Sequence, residues 1–110
     1  MQNKNCVFCQ IAKKESPAKI EYEDQYVLVF QNINPAADVH LLIIPKKHIE
    51  TFLDLDNESM TQIKSVAQKI IKNKNLGSAY KLLFNGGKYQ AIEHVHWHLL
   101  GGNLKKGVQT

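Results

Sequence analysis

Three of the chain's five histidines stand at alternate positions in His94-Val95-His96-Trp97-His98-Leu99-Leu100, a run that leads into Gly101-Gly102. Imidazole can serve near neutral pH as nucleophile, proton carrier or metal ligand, so this run is the first candidate for chemistry. Strict alternation with Val, Trp and Leu predicts a strand whose successive side chains point to opposite faces, which puts the three rings on one face. At a rise of about 3.3 Å per residue, neighbouring rings lie roughly 6.5 Å apart and the outer pair roughly 13 Å. Two ligands of one zinc, each about 2 Å from the metal, cannot be so far apart. A regular strand therefore excludes a single three-histidine metal site, and the rings must divide into separate roles. Clustered imidazoles also repel one another when protonated and pack poorly, which favours a functional site over incidental surface histidines.

Cys6 and Cys9 form a CxxC pair, the second candidate. In a reducing compartment that spacing points to metal or redox work more than to a structural disulfide. Three readings stand: metal-ligating thiolates, buried thiols acting as small hydrophobes, and a redox pair. Redox folds built on this motif place it after a strand that opens a long helix, and no such strand precedes Cys6.

The elements that must position these residues follow from periodicity. Cys6 to Lys14 predicts a short helix ending before Ser16-Pro17. Ile20 to Tyr22 and Tyr26 to Phe30 predict a hairpin across Glu23-Asp24-Gln25. Asn32 to Pro35 breaks the second strand. His40 to Ile44, closed by Pro45, is the most hydrophobic strand and is expected at the centre of the sheet. Residues from about Glu58 to Asn73 predict a helix capped from Asp54 to Asn57, with Met60, Ile63, Val66, Ala67, Ile70 and Ile71 as its core stripe. Ala79 to Phe84 predicts the next strand, and Asn85 to Lys88 a loop before the histidine strand. Val95, Trp97 and Leu99 supply that strand's core face, and Asn103 to Thr110 reads as a loosely ordered tail. The pattern is one α+β domain over residues 1–110, an antiparallel sheet of about five strands with two helices.

Composition narrows the function. The chain has 110 residues, 44% hydrophobic and 22% charged, the profile of a soluble globular domain with a modest core. No apolar run reaches the length of a membrane span, and the N-terminus lacks a signal peptide's apolar region, so no membrane association is expected and the cytoplasm is the default location. The formal charge is +4, yet the lysines fall in scattered pairs and there is no arginine. Guanidinium forks are the commonest specific base readers, so sequence-specific nucleic-acid binding is excluded while small anions such as nucleotides remain suitable partners.

Together these residues resemble the histidine triad (HIT) family, whose signature is His, apolar, His, apolar, His, apolar, apolar. Cys6-Val7-Phe8-Cys9-Gln10-Ile11, Pro17-Ala18-Lys19-Ile20, Ile33-Asn34-Pro35 and Val39-His40 through Ile44-Pro45-Lys46-Lys47-His48-Ile49 are similar to its Hint branch, in the same order. The resemblance covers residues 6–102. It implies a homodimer in which two five-stranded sheets join, with a purine nucleotide on the triad face. It also implies a hydrolase or transferase acting at the α-phosphate of nucleoside phosphoramidates through a nucleotidyl-histidine intermediate. Carried over, the nucleophile is His96, a role open to a neutral imidazole whose second nitrogen proton is held by a backbone carbonyl. His98, His40, Asn85 and the region of Gln90 match phosphate-contacting positions, where donors to the non-bridging oxygens carry much of the catalysis. Taken alone, His40 would read as a satisfied strand histidine and Asn85 as a turn residue. Phe8, Ile11, Ile20, Phe30, Asn32, Ile33 and Leu42 fall where the family lines its base and ribose pocket. Bacterial members with CxxC bind a structural zinc through that pair, the histidine of Lys-Lys-His and the first triad histidine, here Cys6, Cys9, His48 and His94.

Two positions depart from the pattern. Ala91 stands where the family often has a serine or threonine whose hydroxyl contacts the phosphate, and Asn32 where an acidic residue grips the ribose hydroxyls. An amide is a weaker, uncharged acceptor. These departures keep in view a nucleotide- or partner-binding module with negligible turnover, and a dinucleoside polyphosphate hydrolase stands beside it as the other enzymatic reading.

Overall fold

The computed structural model describes residues 5–105. Its elements are α1 (Val7–Ala12), β1 (Ile20–Glu23), β2 (Val27–Gln31), β3 (Ala37–Pro45), α2 (Asn57–Asn73), β4 (Tyr80–Phe84) and β5 (Trp97–Leu104), with short 3-10 turns at Phe52–Asp54 and Gly87–Tyr89. The five strands form one antiparallel sheet in the order β1-β2-β3-β5-β4. This is the expected α+β arrangement.

β3 is central because its run from His40 to Pro45 is buried throughout, which an edge strand could not achieve. Its side chains divide between two cores. Leu41 and Ile43 join Val27, Val29, Val95, Trp97 and Leu99 beneath Ile63, Val66, Ala67 and Ile70 of α2. Leu42 and Ile44 join Leu28 and Phe30 on the other face, beneath Phe8, Cys9 and Ile11 of α1. The two helices thus cover opposite faces of one sheet. Asp56 starts α2 by accepting the Ser59 N–H at 3.0 Å, as an N-cap does. At the β1–β2 turn Asp24 accepts the N–H groups of Tyr26 and Val27, each at 2.8 Å.

Two expectations are corrected. The histidine run is not a regular strand throughout: β5 begins at Trp97, and His94 and His96 lie before it. The ladder with β3 ends at the pair Ile43↔Trp97, and Pro45 has no N–H to extend it. The Val95 N–H turns instead to the Ile49 carbonyl at 2.8 Å. Alternation survives this loss, since Val95 still packs into the α2-side core with Trp97 and Leu99. The second correction concerns the tail, which stays in the sheet as far as Leu104. Gly102 permits this at φ +74°, where a Cβ would stand 2.8 Å from the Cβ of Asp38. Asn103 then donates its N–H to the Asp38 carboxylate at 2.9 Å, and Lys105 to the Ala36 carbonyl at 2.9 Å. The rest of the expected tail, 106–110, lies outside the described residues. Among the described residues no helix is long and apolar enough to cross a membrane.

Leu99 is fully buried where α2 meets β5. Leu99→Ala is expected to lower unfolding free energy by about 2–5 kcal/mol, read as a shifted urea midpoint with an unchanged slope.

Candidate active site and metal centre

The segment between β4 and β5 has no ladder of its own, so its side chains and carbonyls fix it. Gln90 donates its amide hydrogens to the carbonyls of Glu50 at 2.6 Å and Ile92 at 2.9 Å. The His94 ring, fully buried, donates Nε2–H to the Pro45 carbonyl at 2.8 Å. That bond settles the tautomer and leaves Nδ1 as an unprotonated lone pair. Burial pushes the His94 pKa down to about 4; the Pro45 bond opposes the shift, while the nearby His48 and His96 rings add to it.

The freed Nδ1 points at two thiols. It lies 3.4 Å from Cys6 Sγ and 3.6 Å from Cys9 Sγ, while His48 Nδ1 lies 3.2 Å from Cys9 Sγ. All four donor atoms fall within 4.8 Å of one another. A tetrahedral ion with bonds of about 2.0–2.3 Å has donor-to-donor edges of about 3.3–3.8 Å, so the set fits a metal. Neither alternative reading of the cysteines calls for two imidazoles to converge on them. Cys6 is also the N-cap of α1, accepting the Cys9 N–H at 3.4 Å, so helix and ligand pair are one structure.

The next residue on the same side is His96, 5% exposed. Its Nδ1–H donates to the His94 carbonyl at 2.8 Å, which leaves the Nε2 lone pair for chemistry. Burial pulls its pKa below the usual imidazole value, against the opposing pull of that bond, so the ring is neutral at physiological pH. The edge of Phe8 packs against it, with ring centres 5.1 Å apart, and Phe30 stands 5.6 Å from Phe8.

His98 follows, at the register Leu42↔His98↔Leu83, with its ring centre 5.2 Å from that of His96. His40 Nδ1 accepts the Ala36 N–H at 2.9 Å, so its proton must sit on Nε2. That N–H donates to His98 Nδ1 at 2.9 Å, and His98 therefore carries its own proton on Nε2 as a donor. Burial, with the His96 and His40 rings nearby, brings the His98 pKa to about 4, and burial also lowers that of His40. The relay is thus uncharged at neutral pH.

The structure brings Phe8, Ile11, Phe30 and Leu42 into one cluster on the triad side of the sheet. Asn32 adjoins His40, its Nδ2 3.3 Å from Nε2, because its oxygen is taken by the Asn34 N–H at 2.8 Å. Asn85 lies one step past the pair Phe84↔Trp97, where the β4–β5 ladder ends. Ile33 stands apart, 90% exposed, and Ile20 is more than a third exposed. Gln90 and Ala91 line a cavity of about 650 Å³ that reaches Cys6 and His48 but neither His96 nor His98. Sequence reasoning missed the backbone partners, Pro45 for His94 and Ala36 for His40. No side-chain pattern signals them.

A family profile described as "Scavenger mRNA decapping enzyme C-term binding" matches residues 5–110. An uncharacterized HIT-like protein of Methanocaldococcus jannaschii is 41% identical over 99 residues, 86% of this chain and 77% of that protein. The crystal structure of a HIT family hydrolase from Legionella pneumophila is 43% identical, covers 90% of this chain and 94% of its own, and superposes with a TM-score of 0.86. A histidine triad nucleotide-binding protein from Candida albicans is 30% identical, covers 96% and 82%, and has a TM-score of 0.87.

The donor geometry predicts a stabilising metal. At a metal concentration about 1,000 times Kd, linkage contributes about 4 kcal/mol, of the order of 15 °C in a domain this small. A strong chelator is therefore expected to lower the thermal midpoint of the parent by that order and to leave Cys9→Ser unmoved, as followed by circular dichroism.

Proposed function

Since this chain belongs to the histidine triad (HIT) family, we propose that it is a nucleotide-binding hydrolase that acts through His96 at the α-phosphate of purine nucleoside phosphoramidates. The observation that carries this reading is the 2.8 Å bond from His96 Nδ1–H to the His94 carbonyl, which holds a neutral ring with Nε2 unprotonated. Nε2 attacks phosphorus, the phosphorus–nitrogen bond to the leaving amine breaks, and the amine takes up a proton. In this reading water delivers that proton, since Ala91 has no hydroxyl and lines a cavity that does not reach His96. Water then attacks the nucleotidyl-histidine, the bond to Nε2 breaks, and nucleoside monophosphate leaves. His98, oriented by His40, offers Nε2–H to a non-bridging oxygen, and Phe8, Phe30 and Leu42 supply apolar surface for the base. The names of the Legionella hydrolase and the Candida nucleotide-binding protein support the class of activity.

The metal in this reading is zinc. Two thiolates and two imidazoles form a closed tetrahedral set suited to it, with no open position, so its role is structural. It would clip α1, and with it Phe8, to the histidine segment. Two buried cysteines placed to ligate a metal suit a reducing compartment such as the cytoplasm.

The partner is a second copy of this chain, joined at β4. The two sheet edges differ in kind. Strand β1 carries Glu21 and Glu23, which pair with Lys74, Lys14 and Lys46 and guard that edge with charge. Strand β4 instead presents Tyr80 at 48% and Leu82 at 42% exposure, beside a groove of about 220 Å³ that Met60, Ile63 and Trp97 also line.

His96→Asn is expected to retain nucleoside monophosphate binding while hydrolysis of a fluorogenic adenosine phosphoramidate falls by about 10⁴-fold or more, the scale of deleting a nucleophile. Equal turnover in parent and variant sinks the assignment. Binding by a parent that yields no trapped phosphohistidine favours a binding module instead. Light scattering is expected to give twice the chain mass for the parent and a single chain mass for Leu82→Glu.

A further inference from the structure

We infer that Glu50 is the outer partner of the metal centre: its carboxylate accepts the Nε2–H of His48 when Nδ1 of that ring holds the ion. The inference rests on the zinc reading above and extends it to a residue outside the four ligands.

The two ligating histidines are not equally supported. Each presents Nδ1 to the thiols, so each must carry its proton on Nε2 when it binds a metal. His94 places that proton on the Pro45 carbonyl. His48 Nε2 is buried away from solvent and has no hydrogen-bond partner among the described residues. A buried N–H left in that state is rare and calls for an acceptor. The Glu50 carboxylate stands 3.5 Å away, too far for a good hydrogen bond but within reach of a side-chain rotation.

The surroundings favour that closure. The Glu50 carbonyl is held by Gln90 at 2.6 Å, and the Ile49 carbonyl by the Val95 N–H at 2.8 Å, so the backbone that carries the carboxylate is fixed to the histidine segment. The carboxylate itself is half-exposed beside the 650 Å³ cavity and has room to turn. Two nearby acids are engaged elsewhere: Asp54 accepts the Thr51 hydroxyl at 2.7 Å, and Asp56 caps α2 and meets Lys47 at 3.3 Å; Glu93 lines the same cavity but, unlike Glu50, is not paired with the His48 ring. A carboxylate behind a ligating imidazole fixes the ring and strengthens it as a ligand, and losing it commonly weakens metal affinity by about 10–100-fold.

The test uses the full chain loaded with zinc, with zinc transfer to a chromophoric chelator giving release rate and affinity. Glu50→Ala is expected to weaken zinc binding by about 10–100-fold, with near-isosteric Glu50→Gln between it and the parent. Glu93→Gln, which removes a charge from the same cavity, is expected to change affinity by less than about twofold, and the metal-free thermal midpoints to coincide. Nitrogen-15 spectra should show a slowly exchanging His48 Nε2–H in the zinc-loaded parent and lose it in Glu50→Ala. Zinc release unchanged in Glu50→Ala overturns the inference. So does a loss no larger than that of Glu93→Gln, which would make the effect one of rim charge. A parent that takes up no zinc ends the metal reading itself, a result visible before any variant is compared.

Discussion

The arrangement depends on one residue making three commitments in three directions. His94 gives its ring proton to Pro45, turns its remaining ring nitrogen to Cys6 and Cys9, and offers its main-chain carbonyl to His96. None of these can be satisfied by water, because the residue is fully buried. The His96 ring is therefore positioned by the peptide of a neighbour that is itself pinned at both ring nitrogens. Small displacements of a catalytic group cost rate steeply, so the nucleophile proposed above, which stands outside the regular ladder, needs such an anchor.

The sheet explains why this anchor lies where it does. Parity along β2 and β3 sends Val27, Val29, Leu41 and Ile43 toward α2, and Leu28, Phe30, Leu42 and Ile44 toward α1. The long helix seals one face with a continuous apolar stripe. The short helix covers only part of the other, leaving His98 partly exposed beside Asn32 and His40. The larger core thus lies on one side and the candidate site on the other, and β3 serves both.

Much of this was legible in the residues. Alternation placed Val95, Trp97 and Leu99 in the core, the stripe from Met60 to Ile71 marked α2, and the apolar run before Pro45 marked the central strand. Cys6, Cys9, His48 and His94 came together as the resemblance implied, though 88 positions separate the first ligand from the last. What escaped were features carried by the backbone. A ladder that stops at Ile43↔Trp97 depends on a missing proline N–H and on the redirected N–H of Val95, neither of which alters the period-two pattern. The strand's extension through Gly101-Gly102 depended on Asp38 lying opposite, a partner 64 positions before Gly102 in the chain. The side chain of Gln90 went to carbonyls that no local signal names.

Six residues make α1, fewer than an isolated helix needs to persist in water, so tertiary anchors hold it in place. Two of those anchors are sulfur atoms, and between them in sequence stands the aromatic ring that packs on His96. An alkylating agent or oxidant that captured either sulfur would unseat that ring without touching the imidazole beside it. The seating of the His96 ring is thereby tied to the sulfur chemistry of α1.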